Sequence, residues 1–303
     1  MTTTTHNKKA KPAFTHLDKL YWPDEGMTKG DLIRYYETIA LFILPYLKNR
    51  PLSLRRNPNG IKDEGFYHKD AGDIAPPWMK TADIYAESTG KIVHYLVCNN
   101  VRSLLFIANL GCIEMNPWNS TTAKLDNPDY LILDIDPSEK NSFDQVIEVA
   151  LVIKEILDKL SITGYCKTSG ASGMHVYIPC GRKYKYDTIR DFARIIATMV
   201  YEQIPSFTTL ERSLAKRKKD QIYVDYLQNS RGQTLASAYS ARPKPGATVS
   251  TPLEWKEVKR GLHPSQFTIK NIKKRVDKKG DLFKGVLGKG VDVPSILKKM
   301  GNQ

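Results

Sequence analysis

The chain reads as an α/β (α+β) protein built on a β-α-β-β-α-β unit, and three observations carry that reading. The run Tyr130-Leu131-Ile132-Leu133-Asp134-Ile135-Asp136-Pro137 is short, apolar and closed by a proline, the pattern of a buried strand. Two stretches with apolar residues at helical spacing follow it, one opening at Ser142 and one at Asp187. Between and after them lie runs that alternate apolar and polar residues, Met174 to Ile178 and Ile222 to Leu227.

Taken in chain order, Thr2 to Pro12 is polar and reads as a disordered arm. A helix is expected from Thr28, with Asp31 three residues on as its capping partner and a stripe of Leu32, Tyr35, Ile39, Phe42 and Tyr46. From Asn57 to about Pro77 the composition is loop-like, interrupted by Phe66-Tyr67-His68-Lys69. After the Asp134 strand, Ser142 and Gln145 form a capping box for a helix to Leu160 that carries Phe143, Val146, Ala150, Ile153, Leu157 and Leu160 on one face. A short strand, Tyr165 to Thr168, enters the glycine turn Ser169-Gly170-Ala171-Ser172-Gly173. Strand Met174 to Ile178 then puts His175 and Tyr177 on the side opposite its apolar residues. The second helix buries Ile189, Phe192, Ala193, Ile196 and Val200, and Ile222 to Leu227 closes the unit. In this topology two helices cover one face of a four-stranded antiparallel sheet, with the first strand between the third and fourth. Asp134, Asp136, His175 and Asp225 are then expected to converge on the uncovered face.

Lys and Arg number 46 against 32 Asp and Glu, a net charge of +14, which predicts attraction to a polyanion, either nucleic acid or an anionic membrane. No apolar stretch approaches a membrane span and Met1 to Pro12 has no signal-peptide core, so the expectation is a soluble, cytoplasmic, nucleoid-associated protein without a membrane partner. Cys98, Cys112, Cys166 and Cys180 are widely spaced and read as buried free thiols of a reducing compartment; a zinc site shared with a histidine is the alternative.

Two carboxylates one residue apart on a strand share a face, where they repel unless a cation lies between them. Oxygen donors on a rigid strand suit Mg²⁺ or Mn²⁺, and paired metal ions of this kind handle nucleotide phosphates. The bland alternative is a strand end with both acids simply hydrated.

Several ordered segments resemble one family. Leu131 to Pro137, Lys167 to Tyr177 and Val224-Asp225-Tyr226-Leu227-Gln228-Asn229 resemble the three motifs of the polymerase domain of bacterial ligase D, in the archaeo-eukaryotic primase superfamily, which works in non-homologous end joining. The likeness runs from about Phe14 to Val293. It includes Thr15 to Lys19, Thr28 to Asp31, Glu114 to Trp118, Ala238 to Arg242 and Ser250 to Trp255.

The resemblance implies a primase-polymerase fold with an N-terminal α/β lobe (about 13–125), an RRM-like catalytic core (about 126–260), a C-terminal segment (about 261–295) and a tail (296–303). It implies Asp134, Asp136 and Asp225 as ligands of two divalent ions, with Asp225 also favouring deprotonation of the primer hydroxyl. His175 and Arg242 become triphosphate contacts, with Ser169 by the ribose; Phe66, Asn116, Ser172 and Gln228 complete the nucleotide site. Tyr67 and Lys69, with the basic pair Arg55 and Arg56 near the template, fall to DNA. Phe66 and Tyr67 stand where the family stacks aromatic residues on bases, and Lys19 and Lys29 where it holds the 5′-phosphate across a gap.

Two positions depart from the family. Asn116 replaces the histidine of a His-Pro-Trp motif associated with the 2′-hydroxyl, and Asn can still donate and accept there. Ser172 replaces a lysine of the glycine turn, a charge that the basic run Arg212 to Lys219 could restore. The activity implied is template-directed, metal-dependent nucleotide addition from nucleoside triphosphates at gaps and double-strand breaks with a 5′-phosphate, with ribonucleotides favoured. No K-x-D-G adenylation motif is present, so the chain is not expected to seal nicks itself; a DNA ligase and a Ku-type protein are partners that the resemblance implies. Two rivals remain from the residues alone. A non-catalytic nucleic-acid-binding module could use the same sheet, and a metal-dependent phosphodiesterase could use the same acids.

Overall fold

In the computed structural model, which describes residues 13–87 and 89–301, the chain order begins β1 (Leu20–Trp22), β2 (Met27–Thr28), α1 (Lys29–Leu47), β3 (Leu52–Arg56), β4 (Phe66–His68), β5 (Thr81–Ala86), β6 (Lys91–Leu96), α2 (Val101–Asn109) and β7 (Cys112–Pro117). It continues β8 (Tyr130–Asp136), α3 (Phe143–Lys159), β9 (Tyr165–Thr168), β10 (Met174–Pro179), α4 (Tyr186–Gln203), β11 (Thr208–Thr209) and β12 (Ile222–Asp225). After a long irregular stretch come β13 (Pro252–Leu253), α5 (Ile272–Lys279) and α6 (Val293–Gly301). The expected N-terminal arm lies outside the described residues.

Both expected capping boxes form. The Thr28 hydroxyl accepts from the Asp31 amide while Asp31 accepts from the Thr28 amide, and Ser142 and Gln145 do the same for α3. The β-α-β-β-α-β core is β8-α3-β9-β10-α4-β12, with β8 between β10 and β12 as expected. The sheet is wider than four strands. Its order is β11-β12-β8-β10-β9-β13, and β11 joins parallel to β12 at one edge. Leu131, Leu133 and Ile135 of β8 pack with Val146, Ala150 and Ile153 of α3 and Phe192, Ile196 and Val200 of α4 in one core. The periodicities of two and 3.6 in the sequence meet there.

The other face of this sheet is not open, which corrects the expectation of an uncovered surface. Tyr130, Ile132 and Tyr177 belong to a second core with α1, α2, the three-stranded sheet β4-β3-β7 and the 238–249 segment. The face becomes polar only beyond Ile132, at Asp134 and Asp136, so the acids stand where the second core ends. Phe66 to His68, expected within a loop, pairs antiparallel with β3. The stretch Ile222 to Leu227 ends as strand at Asp225, because the Asp225 carboxylate accepts the Leu227 amide at 2.7 Å and turns the chain into a short 3₁₀ segment, Leu227–Asn229. All four cysteines are buried and free. Among the described residues no helix is long and apolar enough to cross a membrane.

Candidate active site

Register alone assembles the centre of the site. Lys167 of β9 lies opposite His175 of β10, His175 opposite Asp134 of β8, and Asp134 opposite Asp225 of β12. Directly opposed residues bring their Cβ atoms to about 5 Å on one face of a sheet, so four groups distant in sequence form one row. Asp136 lies two residues along β8 on the same face, opposite Tyr223.

This row is short of positive charge on its acidic side. Burial first, then the carboxylates of Asp225 and Asp136, push Asp134 up to about 8. Asp136 and Asp225 are also raised by burial. The Arg217 guanidinium, 3.5 Å from Asp136, draws the first back, and hydrogen bonds from the Leu227 amide and the Gln228 side chain restrain the second. Three clustered acids that resist ionisation form a set of oxygen donors that a hard divalent cation would neutralise. Among the described residues no three His, Cys, Asp or Glu groups already stand as a metal-ligand set.

On the other side of Asp134 the groups are basic or neutral. His175 is 3 % exposed, with Nε2 3.3 Å from Asp134 Oδ1, and burial together with Lys167 and Arg242 holds its pKa well below the ordinary imidazole value. The glycine turn beside it is fastened by Ser169, whose hydroxyl accepts the amides of Ala171 and Gly173, each at 3.0 Å. Gly173 presses on β8 so closely that a Cβ there would lie 2.1 Å from the Ile135 carbonyl oxygen. Arg242 bridges the turn to the second sheet: its Nε donates to Glu114 at 2.6 Å and its Nη1 to the Ser169 carbonyl. Ser172 is exposed at the tip of the turn. The basic 212–219 run and Asp220 after it dock on Ser138 and Asn141 through the carbonyls of Lys219 and Asp220, with Arg217 beside Asp136.

The three-stranded sheet adds a second polar row. Cross-strand pairs place Ser53 with Asn116, and Arg55 with both Glu114 and Tyr67. These five residues therefore share the face that carries the Arg242 contact. Asn116 is buried, with Nδ2 donating to the Ser53 carbonyl at 3.2 Å, which leaves its Oδ1 as an acceptor. Arg56 and Phe66 pair on the opposite face, so the two aromatic residues point to different sides. Arg55 stacks over Tyr67 at 5.1 Å and Arg56 over Phe66 at 5.3 Å; both rings are exposed, as is Lys69. Burial first, and then the Glu114 carboxylate, raises the pKa of the Tyr67 hydroxyl.

Lys19 and Lys29 meet, with Arg56, at a separate cavity of about 360 Å³ lined also by Thr15, His16 and Gly111. Lys29 is not a surface lysine. It is 5 % exposed and donates to the Thr15 carbonyl at 2.8 Å, and burial and then Lys19 lower its pKa. Lys19 donates to Asn59.

Two residues of this arrangement escaped the sequence reading as site residues, Lys167 and Glu114, while Arg217, read only as part of a basic run that could restore charge at the triphosphate, faces Asp136. For the first two a signal was present. Each is a charged residue at an inward phase of an otherwise apolar strand, in step with Tyr165 and with Cys112, respectively.

A family model for the LigD primase-polymerase domain matches residues 28–283. The bifunctional non-homologous end joining protein LigD of Bacillus subtilis (strain 168) is 34% identical over 282 residues, 92% of this chain and 45% of that protein. The multifunctional non-homologous end joining protein LigD of Pseudomonas aeruginosa is 30% identical over 264 residues, 87% of this chain and 31% of that protein. The chain thus spans less than half the length of these relatives. The polymerase domain from Mycobacterium tuberculosis ligase D in complex with DNA superposes with a TM-score of 0.84 at 24% identity, covering 92% of this chain and 99% of that one, and so shares the fold. With a family match that starts at the α1 capping threonine and ends at Phe283, the chain belongs to the LigD primase-polymerase domain family, a family of nucleotidyltransferases.

Proposed function

We propose that this protein adds nucleotides, template-directed, to a primer 3′ end at gaps and broken DNA ends in non-homologous end joining, with Mn²⁺ or Mg²⁺ as cofactor and a preference for ribonucleotides. The observation that carries the reading is the division of one sheet row at Asp134, with carboxylates on one side and groups suited to a triphosphate on the other. Asp134, Asp136 and Asp225 would hold two divalent ions, which when bound supply charge neutralisation for the attacking and leaving oxygens. The chain's own residues do the rest. Asp225 stands at the acidic end of the row, where a primer hydroxyl would lose its proton. His175 and Arg242 donate to phosphate oxygens, and the Ser169 turn sets their distance from β8. Asn116 offers Oδ1 to a 2′-hydroxyl. For the aromatic pair we favour the reverse of what the resemblance implies: Tyr67, which shares the face of Arg55 and Glu114, for the nucleotide, and Phe66 with Arg56 for the DNA that would lead to the Lys19 and Lys29 cavity, where a 5′-phosphate would sit. Gln228 fixes Asp225, and the half-buried Arg55 on the middle strand of the β4-β3-β7 sheet and the exposed Lys69 just after β4 would face DNA. A DNA ligase and a Ku-type protein would complete the repair.

The test is a gapped duplex with a 5′-phosphate, labelled nucleotides and Mn²⁺ or Mg²⁺. Extension supports the reading; cleavage would favour a phosphodiesterase, and binding without either would favour a non-catalytic module. Asp134→Ala, Asp136→Ala and Asp225→Ala should each abolish extension while leaving duplex binding nearly intact, and near wild-type extension by any one would remove that residue from the metal set.

A further inference from the structure

Lys167 is fully buried; burial and then Arg242 lower its pKa, while Glu114 and an ionised Asp134 favour its ammonium form, which must find acceptors for all its hydrogens. Three surround it: the Ala236 carbonyl at 2.9 Å, Ser250 Oγ at 2.5 Å and His175 Nδ1 at 2.8 Å. The Ala236 oxygen can only accept. Ser250 directs its own hydroxyl hydrogen to the Thr168 carbonyl at 3.0 Å, so towards Lys167 it accepts as well. The third hydrogen therefore falls to His175 Nδ1.

An imidazole that accepts at Nδ1 carries its hydrogen on Nε2. Nε2 faces Asp134 Oδ1 at 3.3 Å, on the side where a triphosphate would lie. A phosphate oxygen only accepts, so the Nε2–H form is the tautomer able to donate to a triphosphate placed there.

We propose that Lys167 is a positioning residue of the nucleotide site: it holds His175 as the Nε2–H tautomer and aims that hydrogen at the phosphate position without itself touching the nucleotide. The proposal rests on His175 as a triphosphate contact. It assigns the lysine a task through the sheet register, since Lys167 and His175 are opposed residues of β9 and β10. The carbonyl and hydroxyl that share the ammonium come from the 236–250 segment, which ties this part of the chain to the orientation of the ring.

The first measurement is the ¹⁵N spectrum of metal-free, histidine-labelled protein, with His175 assigned from a His175→Gln variant. An unprotonated Nδ1 and a protonated Nε2 are expected in the wild type. The second measurement uses Lys167→Met, which keeps the buried methylenes and removes the donors. It should lose that tautomer preference and lower kcat/KM for nucleotide addition by about 10- to 100-fold, the usual effect of removing a group that orients a site histidine, while affinity for gapped duplex stays unchanged. In a His175→Ala background the same substitution should cost less than about twofold, because it has no ring left to orient. A wild-type spectrum with the hydrogen on Nδ1 would overturn the proposal, as would an equal loss in both backgrounds, which marks a merely structural lysine. A wild-type protein that adds no nucleotide would sink the polymerase reading while the spectrum still decides the tautomer. If Lys167→Met does not fold, the wild-type spectrum decides it alone.

Discussion

Asp134 should make the metal-free protein less stable as the pH rises, and Asp134→Asn should remove that dependence. Its side chain is only 14 % exposed, and burial with two neighbouring carboxylates lifts its pKa from 3.8 to about 8. A carboxyl whose folded pKa lies above its unfolded one binds its proton more tightly when folded. Its contribution is therefore fully present below about pH 4 and is lost as the pH rises through about 8. At 1.36 kcal/mol per pKa unit the shift corresponds to about 5–6 kcal/mol, an upper figure because Asp136 and Asp225 share in the repulsion. Within the window the slope approaches about 1.4 kcal/mol per pH unit. Urea unfolding in the presence of a chelator, from about pH 5 to about pH 8, measures it, and the difference between wild type and Asp134→Asn isolates this group from the other titrating residues. The variant should equal or exceed the wild type in stability at the upper end. Adding Mn²⁺ should stabilise the wild type most at high pH, where the cation no longer competes with a proton, and the variant far less. Parallel pH profiles for the two proteins would refute the argument that the acids are uncompensated.

Three further outcomes follow from the geometry. Asn116→Ala should reduce the ratio of kcat/KM for ribonucleotides to that for deoxyribonucleotides, since a hydroxyl contact is worth about 1–3 kcal/mol, or roughly 5- to 150-fold; an unchanged ratio would place sugar selection elsewhere. Tyr67→Ala should raise the KM for the incoming nucleotide, with a stacking loss of about 1–3 kcal/mol, whereas Phe66→Ala should weaken duplex binding; the reverse pattern in paired kinetic and binding assays would contradict the two-sided placement of the rings. Lys19→Ala combined with Lys29→Ala should erase the preference for a 5′-phosphorylated over a 5′-hydroxyl gap, a preference that itself falls as salt rises, and a retained margin in salt-dependent binding assays would put the phosphate site elsewhere.

Local signals were legible where one residue's chemistry sufficed. The capping pairs at Thr28 and Ser142, the helical stripes of α3 and α4 and the shared face of Asp134 and Asp136 need only neighbours in sequence, and all were read from it. The convergence of His175 and Asp225 on Asp134 followed from topology. What stayed hidden depends on distant, irregular chain. Lys167 stands in step with Tyr165 on β9, but the groups that accept from its ammonium lie in the 236–250 segment, where nothing repeats with a period. Phe66 to His68 is too short and too exposed to announce a strand, and becomes one only because β3 is there to pair with it. The likeness in sequence supplied residue names for the phosphate contacts, but not the opposite facing of Phe66 and Tyr67, which register decides.

The wall position of β8 carries a consequence for dissection of the molecule. One side of this strand seals the core beneath α3 and α4 and the other, through Tyr130 and Ile132, seals the core of the N-terminal lobe. Excising the helix-backed half as a minimal enzyme would strip Tyr130, Ile132 and Tyr177 bare and leave an apolar patch in line with the acids, an invitation to self-association. The lobe that looks like an accessory is the other half of the mould in which the carboxylates are set, and repacking it at a residue such as Tyr36 or Met115 would retune the spacing of acids it never touches.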